Sequence, residues 1–477
     1  MKYTYITASL LALLPVAQTK AQVVNPAPRL VVNITIDQLR SDYLEAFSPL
    51  YNNNGFKKLL QDGTVYSICS YPFSPIDKAS AIASIYTGTV PYYNGITGNK
   101  WLDKETLRPV DCENGTPENL CTSTICDELK ISTGGSAKVY SVAPESEEAV
   151  FSAGHAADGA FWIDSNDGTW RTSPYYTKSK ISWLTAFNDL NSTSTQYSTS
   201  RNKKSNSILN EKVKDMALQC IKSNGMGLDD ITDILAVTYH AGNDKTSSVT
   251  GCQTDVQNVY TKLDRTIGDF ISNIQSLIGK DHVLFVITST GCSDDKTADY
   301  SKYRIPTGKF YINRTASLLN MYFCAIYGQG NYVETCFSNE IFLNHKLFDQ
   351  KRVNFGEILD RAQEFLAQVS GVRNIFTYKD LLSSGNAMTE KIRNGYNNNH
   401  SGDIIIEVAP GWRLINEDNF DNQLSRANII PFPIIIYGAG TKAEKINYPV
   451  TIDRIAPTIA KSIRIRAPNA CQAEPLF

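Results

Sequence analysis

The 477-residue sequence has only five histidines, no excess of charge of either sign and, past residue 22, no long apolar run. Each shortage excludes something. With 46 basic and 48 acidic residues, a formal net charge of -2, and Lys and Arg scattered rather than clustered, the chain lacks the electrostatic footprint of a nucleic-acid binder. No segment beyond residue 22 approaches the ~20 apolar residues that a spanning helix requires, so no transmembrane segment is expected in the mature chain. The ten cysteines form no CxxC pair and have no histidine beside them, which argues against a zinc-finger type of site. Any chemistry that needs several imidazoles has few to draw on.

What is present begins at the N-terminus. Met1 and Lys2 give a short basic start, Leu10 to Val16 an apolar run, and Thr19-Lys20-Ala21 a cleavage site. Residues 1–21 therefore read as a signal peptide, too short to span a bilayer. The first cysteine is Cys69, far from the cut, which argues against a lipid anchor. The mature chain is expected to be exported, periplasmic or secreted. Cysteines in an exported chain suggest disulfides, and Cys112, Cys121 and Cys126 close loops short enough to be stapled. The length exceeds one ordinary core, so the expectation is one large α/β domain carrying an inserted subdomain.

Along the chain, Arg29 to Asp37, RLVVNITID, is an apolar β-branched run ending in a carboxylate. That is the pattern of a buried parallel strand whose C-terminal end faces a ligand site. Gly55 to Gly63 reads as a short helix stopped by glycine, and Thr64 to Ser70 as the next strand. In YPFSPIDKASAIASIYTGT, Pro72 and Pro75 close an extended run and Asp77 caps a helix over Ala79 to Tyr86. Lys138 to Ala143, Asp233 to His240 and His282 to Thr290 read as strands, and Ile208 to Ile221 as an amphipathic helix. From about Tyr300 to Trp412 the alternation gives way to a mixed segment that includes a helix over Phe355 to Val369, before Pro431 to Tyr437 returns as a strand. The alternation predicts an α/β fold: a doubly wound, mainly parallel sheet with helices on both faces and an inserted α/β cap. The core is expected over residues 22–299 and 413–477, and the cap over 300–412.

Several of these segments resemble the alkaline phosphatase superfamily, in the branch of type I phosphodiesterases, nucleotide pyrophosphatases and the similar periplasmic zinc monoesterases. The firmest are Leu30 to Asp37, Tyr71 to Asp103, Ala153 to Asp164 (AGHAADGAFWID), Asn339 to Lys351, Gly402 to Trp412 and the closing Thr451 to Leu476. The resemblance implies the fold just described. It also implies a site in which three carboxylates, three imidazoles and one hydroxyl nucleophile hold two zinc ions and attack phosphorus. Carried over residue by residue, it makes Asp37 a metal ligand and Asn99, in GITGNKW, a donor to a phosphoryl oxygen. Elsewhere the residues depart from the family's pattern. The nucleophile position, where a helix dipole and a zinc ion would lower a hydroxyl's pKa, holds Lys78. The Lys-x-Arg clamp of the monoesterase-like members falls on Glu145 and Glu147. The Asp-x-x-x-His ligands fall near Asn243 and Ser247, with His240 and Asp244 as a reversed pair nearby. The Asp-His-Gly ligands fall on Ser289, Thr290 and Gly291, and DNQLSR at Asp421 to Arg426 offers no final histidine.

The expected electrostatics follow. The ammonium of Lys78 should stand opposite Asp37 in the space of a missing metal, while Glu145 and Glu147 repel phosphate. This reading implies an exported pseudophosphatase without a cofactor. Its cleft, lined by Asp37, Lys78, Asn99, Glu145, Glu147, Asn243, Ser289 and Thr290, would bind a small ligand or an envelope protein. The competing expectation is a zinc-dependent phosphate mono- or diester hydrolase whose site is rebuilt from Asp37, His240 and Asp244. A third is a scaffold in an envelope complex, its former site filled as core.

Overall fold

The apolar run Leu30–Asp37 becomes β1 and is buried at every residue, because it lies in the middle of the main sheet with a strand on each side and a helical layer on each face. The computed structural model describes residues 26–192, 205–242, 252–292, 303–383, 385–417 and 430–477. The signal-peptide reading of residues 1–21 lies outside them. The main sheet continues with β2 (Thr64–Ser70), β3 (Val139–Val142), β4 (Gly159–Ile163), β5 (Trp170–Arg171), β6 (Asp233–His240), β7 (Val283–Ser289), β8 (Phe432–Gly438), β9 (Glu444–Ile446) and β10 (Val450–Thr451). Their spatial order is β9-β2-β8-β7-β1-β6-β3-β4-β5, with β10 also on β2. The central pairings β7–β1, β1–β6, β6–β3 and β3–β4 are all parallel, whereas β8 runs antiparallel to both of its neighbours.

Helices cover both faces, as the expected doubly wound arrangement requires. On one face lie α2 (Lys78–Thr87), α3 (Ile125–Ser132), α4 (Ser146–Ala153) and α7 (Ile455–Ile463), sharing a core with Val31, Ile234 and Val286. On the other lie α1 (Phe56–Asp62), α5 (Asn206–Asn224) and α6 (Cys252–Ile278), packed on Leu30, Val32, Ile34 and Ile36. The period-two split of β1 between two apolar layers is what a strand buried on both faces needs.

Residues 308–415 form a separate layer with a core of their own around Phe310, Leu319, Phe323, Ile341 and Ile404. A four-stranded antiparallel sheet runs in the order Val333–Phe337, Glu340–Leu343, Ile404–Val408, Val372–Thr377. This layer leans on the loop before α2 and on Trp101, which follows that helix. Ser74 donates its N–H to the Lys391 carbonyl at 2.9 Å, Asn394 donates to the Pro72 carbonyl at 2.8 Å, and His400 stacks on Trp101 at 4.3 Å.

The expected disulfide staple is not formed. Cys112, Cys121 and Cys126 are free thiols; Cys112 and Cys126 are buried while Cys121 is exposed. Cys112 and Cys126 pack in the apolar core beneath α2, and burial raises both thiols above their ordinary range. No helix among the described residues is long and apolar enough to cross a membrane.

One buried carboxylate sets a helix junction. Asp264 of α6 accepts the N–H of Asn52 and of Phe56, each at 2.7 Å, and so caps the first turn of α1 from outside. Gly55 is required there, since a Cβ on it would lie 2.1 Å from the Asp264 carboxylate. The substitution Asp264→Ala would strand the buried Phe56 N–H and should cost about 1–3 kcal/mol of stability in urea unfolding. A change within error would show that water replaces the carboxylate.

Candidate functional site

Three central strands end together. The register aligns Asp37 of β1 with His240 of β6 and Ile36 with Ser289 of β7, so the carboxyl ends of the sheet bring Asp37, His240, Ser289 and Thr290 to one edge. This is the edge where open α/β sheets bind ligands. Two helices aim their N-termini at it. Asp77 caps α2, its carboxylate accepting the Ala79 N–H at 2.8 Å, and Lys78 is the first helical residue. The segment PESEE opens α4, where the Glu145 N–H donates to Glu148 at 3.2 Å.

Lys78 carries the main electrostatic feature of the site. Its ammonium pairs with Glu145, with Glu147 at 3.2 Å and with Glu148 at 3.2 Å. The Lys78 side chain is 12% exposed, Glu147 16% and Glu148 0%, whereas Glu145 is 50% exposed and forms the rim. A cation at a helix N-terminus opposes the dipole by roughly 0.3–1 kcal/mol. A single carboxylate at ~4 Å attracts it by about 4 kcal/mol at an effective dielectric of 20, before desolvation. The carboxylates therefore decide the balance. Burial works against the Lys78 charge, but Glu148, Glu145 and Glu147 together push its pKa well above the ordinary value.

The neighbours titrate apart. Burial raises the Glu145 carboxyl, yet Lys78 outweighs it and holds the group down at about 2. Burial, with Glu145 and Glu148 close by, carries Glu147 up to about 8 despite Lys78. The imidazole of His240 meets Glu148 at 2.7 Å. Burial disfavours its charge, but Glu148 raises it to about 9, so His240 is an imidazolium at neutral pH. Asn210 of α5 fixes its backbone in both directions, accepting the His240 N–H at 2.9 Å and donating to the His240 carbonyl at 2.8 Å.

The Lys78 ammonium sits closest to the three carboxylates of α4, and Asp37, which accepts the hydroxyl of Thr290, also favours its charge. Glu145 and Glu147 bind this internal cation. Asn99 accepts the Ala79 N–H at 3.2 Å, so it and Asp77 occupy the first turn of α2. Ser289 accepts the Gly291 N–H at 3.1 Å, and its carbonyl accepts the Tyr71 hydroxyl at 2.8 Å. Asn243, Asp244 and Ser247, and the segment Asp421 to Arg426, lie outside the described residues. Glu148 and Asn210 were missed by sequence reasoning. The spacing Glu145-x-x-Glu148 was a signal, though it marks a helix start as readily as a site.

The zinc pair implied by the family resemblance does not fit the described donors. Asp37 holds a hydroxyl, His240 is protonated on Glu148, and an ammonium stands among the remaining carboxylates. A zinc ligand must be a thiolate, a neutral imidazole or a free carboxylate. Among the described residues, no group of three or more His, Cys, Asp and Glu is placed to hold a metal ion.

An open parallel sheet with a cap inserted before its last antiparallel strand, and a polar edge fed by two helix N-termini, defines an alkaline-phosphatase-like α/β protein. A model of the type I phosphodiesterase / nucleotide pyrophosphatase family matches residues 31–428, and the chain belongs to that family. It is 26% identical to alkaline phosphatase PafA of Elizabethkingia meningoseptica over 516 aligned positions, covering 94% of each chain. It is also 26% identical to alkaline phosphatase PhoV of Synechococcus elongatus, covering 93% of this chain and 91% of that one. The crystal structure of wild-type PafA superposes with a TM-score of 0.81 at 24% identity, covering 94% of this chain and 98% of that one. The alkaline phosphatase fold and superfamily are thereby established.

Replacing Lys78 by Met should leave a buried carboxylate cluster without its cation and cost about 3–5 kcal/mol in chemical denaturation at neutral pH. The pH dependence should differ most below the ordinary carboxylate pKa, because above it Glu147, already raised in the parent, makes both proteins more stable as pH falls. In the parent, Glu145 is depressed, so its contribution is present above the ordinary carboxylate pKa and is lost as pH falls toward 2. In Lys78→Met the clustered carboxylates lose their cation and titrate upward, so the melting temperature should rise as pH is lowered through the weakly acidic range. Parallel pH profiles for the two proteins would refute the assignment.

Proposed function

We propose that the chain is an exported, catalytically silent member of its family, which binds a ligand or protein partner at the former site and does not run two-metal phosphoryl transfer. The single observation that carries this reading is the Lys78 ammonium, standing where the resemblance puts a nucleophilic hydroxyl and held there by Glu145, Glu147 and Glu148. A lysine whose pKa is raised stays protonated and has no lone pair with which to attack. A phosphoryl group approaching α2 would meet Asp77 and Asn99 on the Ala79 N–H, and Glu145 at the rim. Those groups repel or exclude an anion. A neutral or cationic ligand, or a partner protein, is the class that this rim accepts.

The whole-chain likeness to alkaline phosphatases supports a second reading more directly than the first: a metal-dependent hydrolase of phosphate mono- or diesters. It requires Asp37, Asp244 and a neutral His240, no longer held by Glu148, to share a metal ion.

Purified mature protein, incubated with zinc and assayed on p-nitrophenyl phosphate and bis-p-nitrophenyl phosphate, separates the two. The expected result is no chelator-sensitive release of p-nitrophenol and no stoichiometric zinc by elemental analysis. Lys78→Thr should be equally silent, because it restores one hydroxyl and none of the ligands. Turnover by the parent that a chelator abolishes would establish the hydrolase instead.

A further inference from the structure

A short hairpin joins the site to the inserted layer. Lys100–Asp103 pairs antiparallel with Arg108–Asp111 and forms a two-stranded sheet of its own. Its foot stands at the start of α2. Asn99, which immediately precedes the first strand, accepts the Ala79 N–H on its side-chain oxygen at 3.2 Å. The Asn99 carbonyl accepts the N–H of Cys112, the residue that follows the second strand, at 2.8 Å and so closes the hairpin across its base. The Asn119 side chain fixes the same foot from the loop beyond, donating to the Cys112 carbonyl at 2.9 Å.

The rest of the hairpin is gripped by the cap. Leu102 is 3% exposed and packs with Phe337 and Phe342 of the cap's antiparallel sheet. Trp101 is buried against His400, the two rings 30° from parallel and 4.3 Å apart. Lys104 donates to the Asn398 carbonyl at 2.7 Å; burial works against its charge, and Asp403 and Glu340 of the cap work for it. The turn between the strands is braced by the Asp103 carboxylate, which accepts the N–H of Glu105 at 2.8 Å and of Thr106 at 2.7 Å. Buried apolar contact dominates a junction of this kind, and here it begins at Trp101, two residues and less than about 8 Å along the chain from Asn99. A displacement of the cap has almost no slack chain to take it up before it reaches Asn99.

We infer that this hairpin is a strap that makes the cap and the first turn of α2 one cooperative unit, so that a ligand or partner that shifts the cap also loosens the Ala79 N–H. The inference does not depend on the reading of function above. Segments that share buried contacts open together, at a common free energy below that of global unfolding. The cap also reaches the helix start by a second route, the loop before it, where Ser74 donates to the Lys391 carbonyl. The two routes end on different atoms. The loop acts upstream of the cap residue Asp77, whereas the strap ends on Asn99, which holds the Ala79 N–H itself. Because Asp77 accepts the same N–H at 2.8 Å, moving the strap removes one of two acceptors and leaves α2 folded.

Hydrogen exchange of the full mature chain, resolved to single amides, tests the strap. His400→Ala removes the stack from the cap side without touching α2. It should speed exchange of the Ala79 amide about two- to tenfold, the loss of one aromatic pair expressed as an opening equilibrium, and leave Ile34 in the middle of β1 unchanged. In Asn99→Ala the strap no longer reaches the Ala79 N–H, so adding His400→Ala should produce no further change there. An Ala79 rate that His400→Ala leaves unaltered would overturn the inference. So would an acceleration that survives in the double variant, since it would arrive through the Ser74 loop, or one shared equally by Ile34, since it would report weakening of the whole fold.

Discussion

The contact between the Lys78 ammonium and the carboxylates of α4 is the constraint on which the upper edge of the sheet depends. Glu148 is wholly buried and serves three partners at once: the Glu145 backbone, His240 and Lys78. It thereby ties the starts of two helices to the end of β6. A buried carboxylate in that position is tolerable only with cations on it, and Lys78 and His240 are those cations. Asp37, at the end of β1, accepts the Thr290 hydroxyl and adds its charge to the field that favours both cations.

Much of the fold was legible before any coordinates. The apolar, β-branched run ending at Asp37 has the burial pattern of a central strand, and Asp233 to His240 forms β6 over the same residues. Asp77 before a run of small residues gave the start of α2, because an N-cap is a local property. Sequence reading of the site was less complete, for a physical reason. It placed Lys78, Glu145 and Glu147 near one another through a family pattern but paired the lysine with Asp37. Which carboxylate wins depends on a count of charges that only the approach of α4 to α2 reveals. Glu148, which the sequence reading missed, caps α4 through one oxygen while the other enters the ion cluster. The disulfide expectation failed because cysteines close in sequence were distributed by the fold between core and surface.

The inserted layer adds a second consequence of topology. It leaves the chain between β7 and β8 and touches the core at the loop that leads into α2, through Ser74 and Pro72, and at Trp101 beyond that helix. The helix that carries Lys78 is thus held from two directions, by the cap at its entry and by α4 at its first turn. A ligand that moved the cap would act on the same short loop. Coupling of that kind needs contiguous contacts, and here they span only a few residues.

The interlocked charges also bear on how such a site could change over generations. Neither the lysine nor the acidic trio is harmless alone, since each is stranded without the other, and the effects of altering them are far from additive. A lineage that has reached this arrangement cannot step back through a single substitution without passing through a poorly folded intermediate. The geometry would behave as a ratchet, since two self-consistent ways of filling the same space are separated by intermediates that bury an unpaired charge.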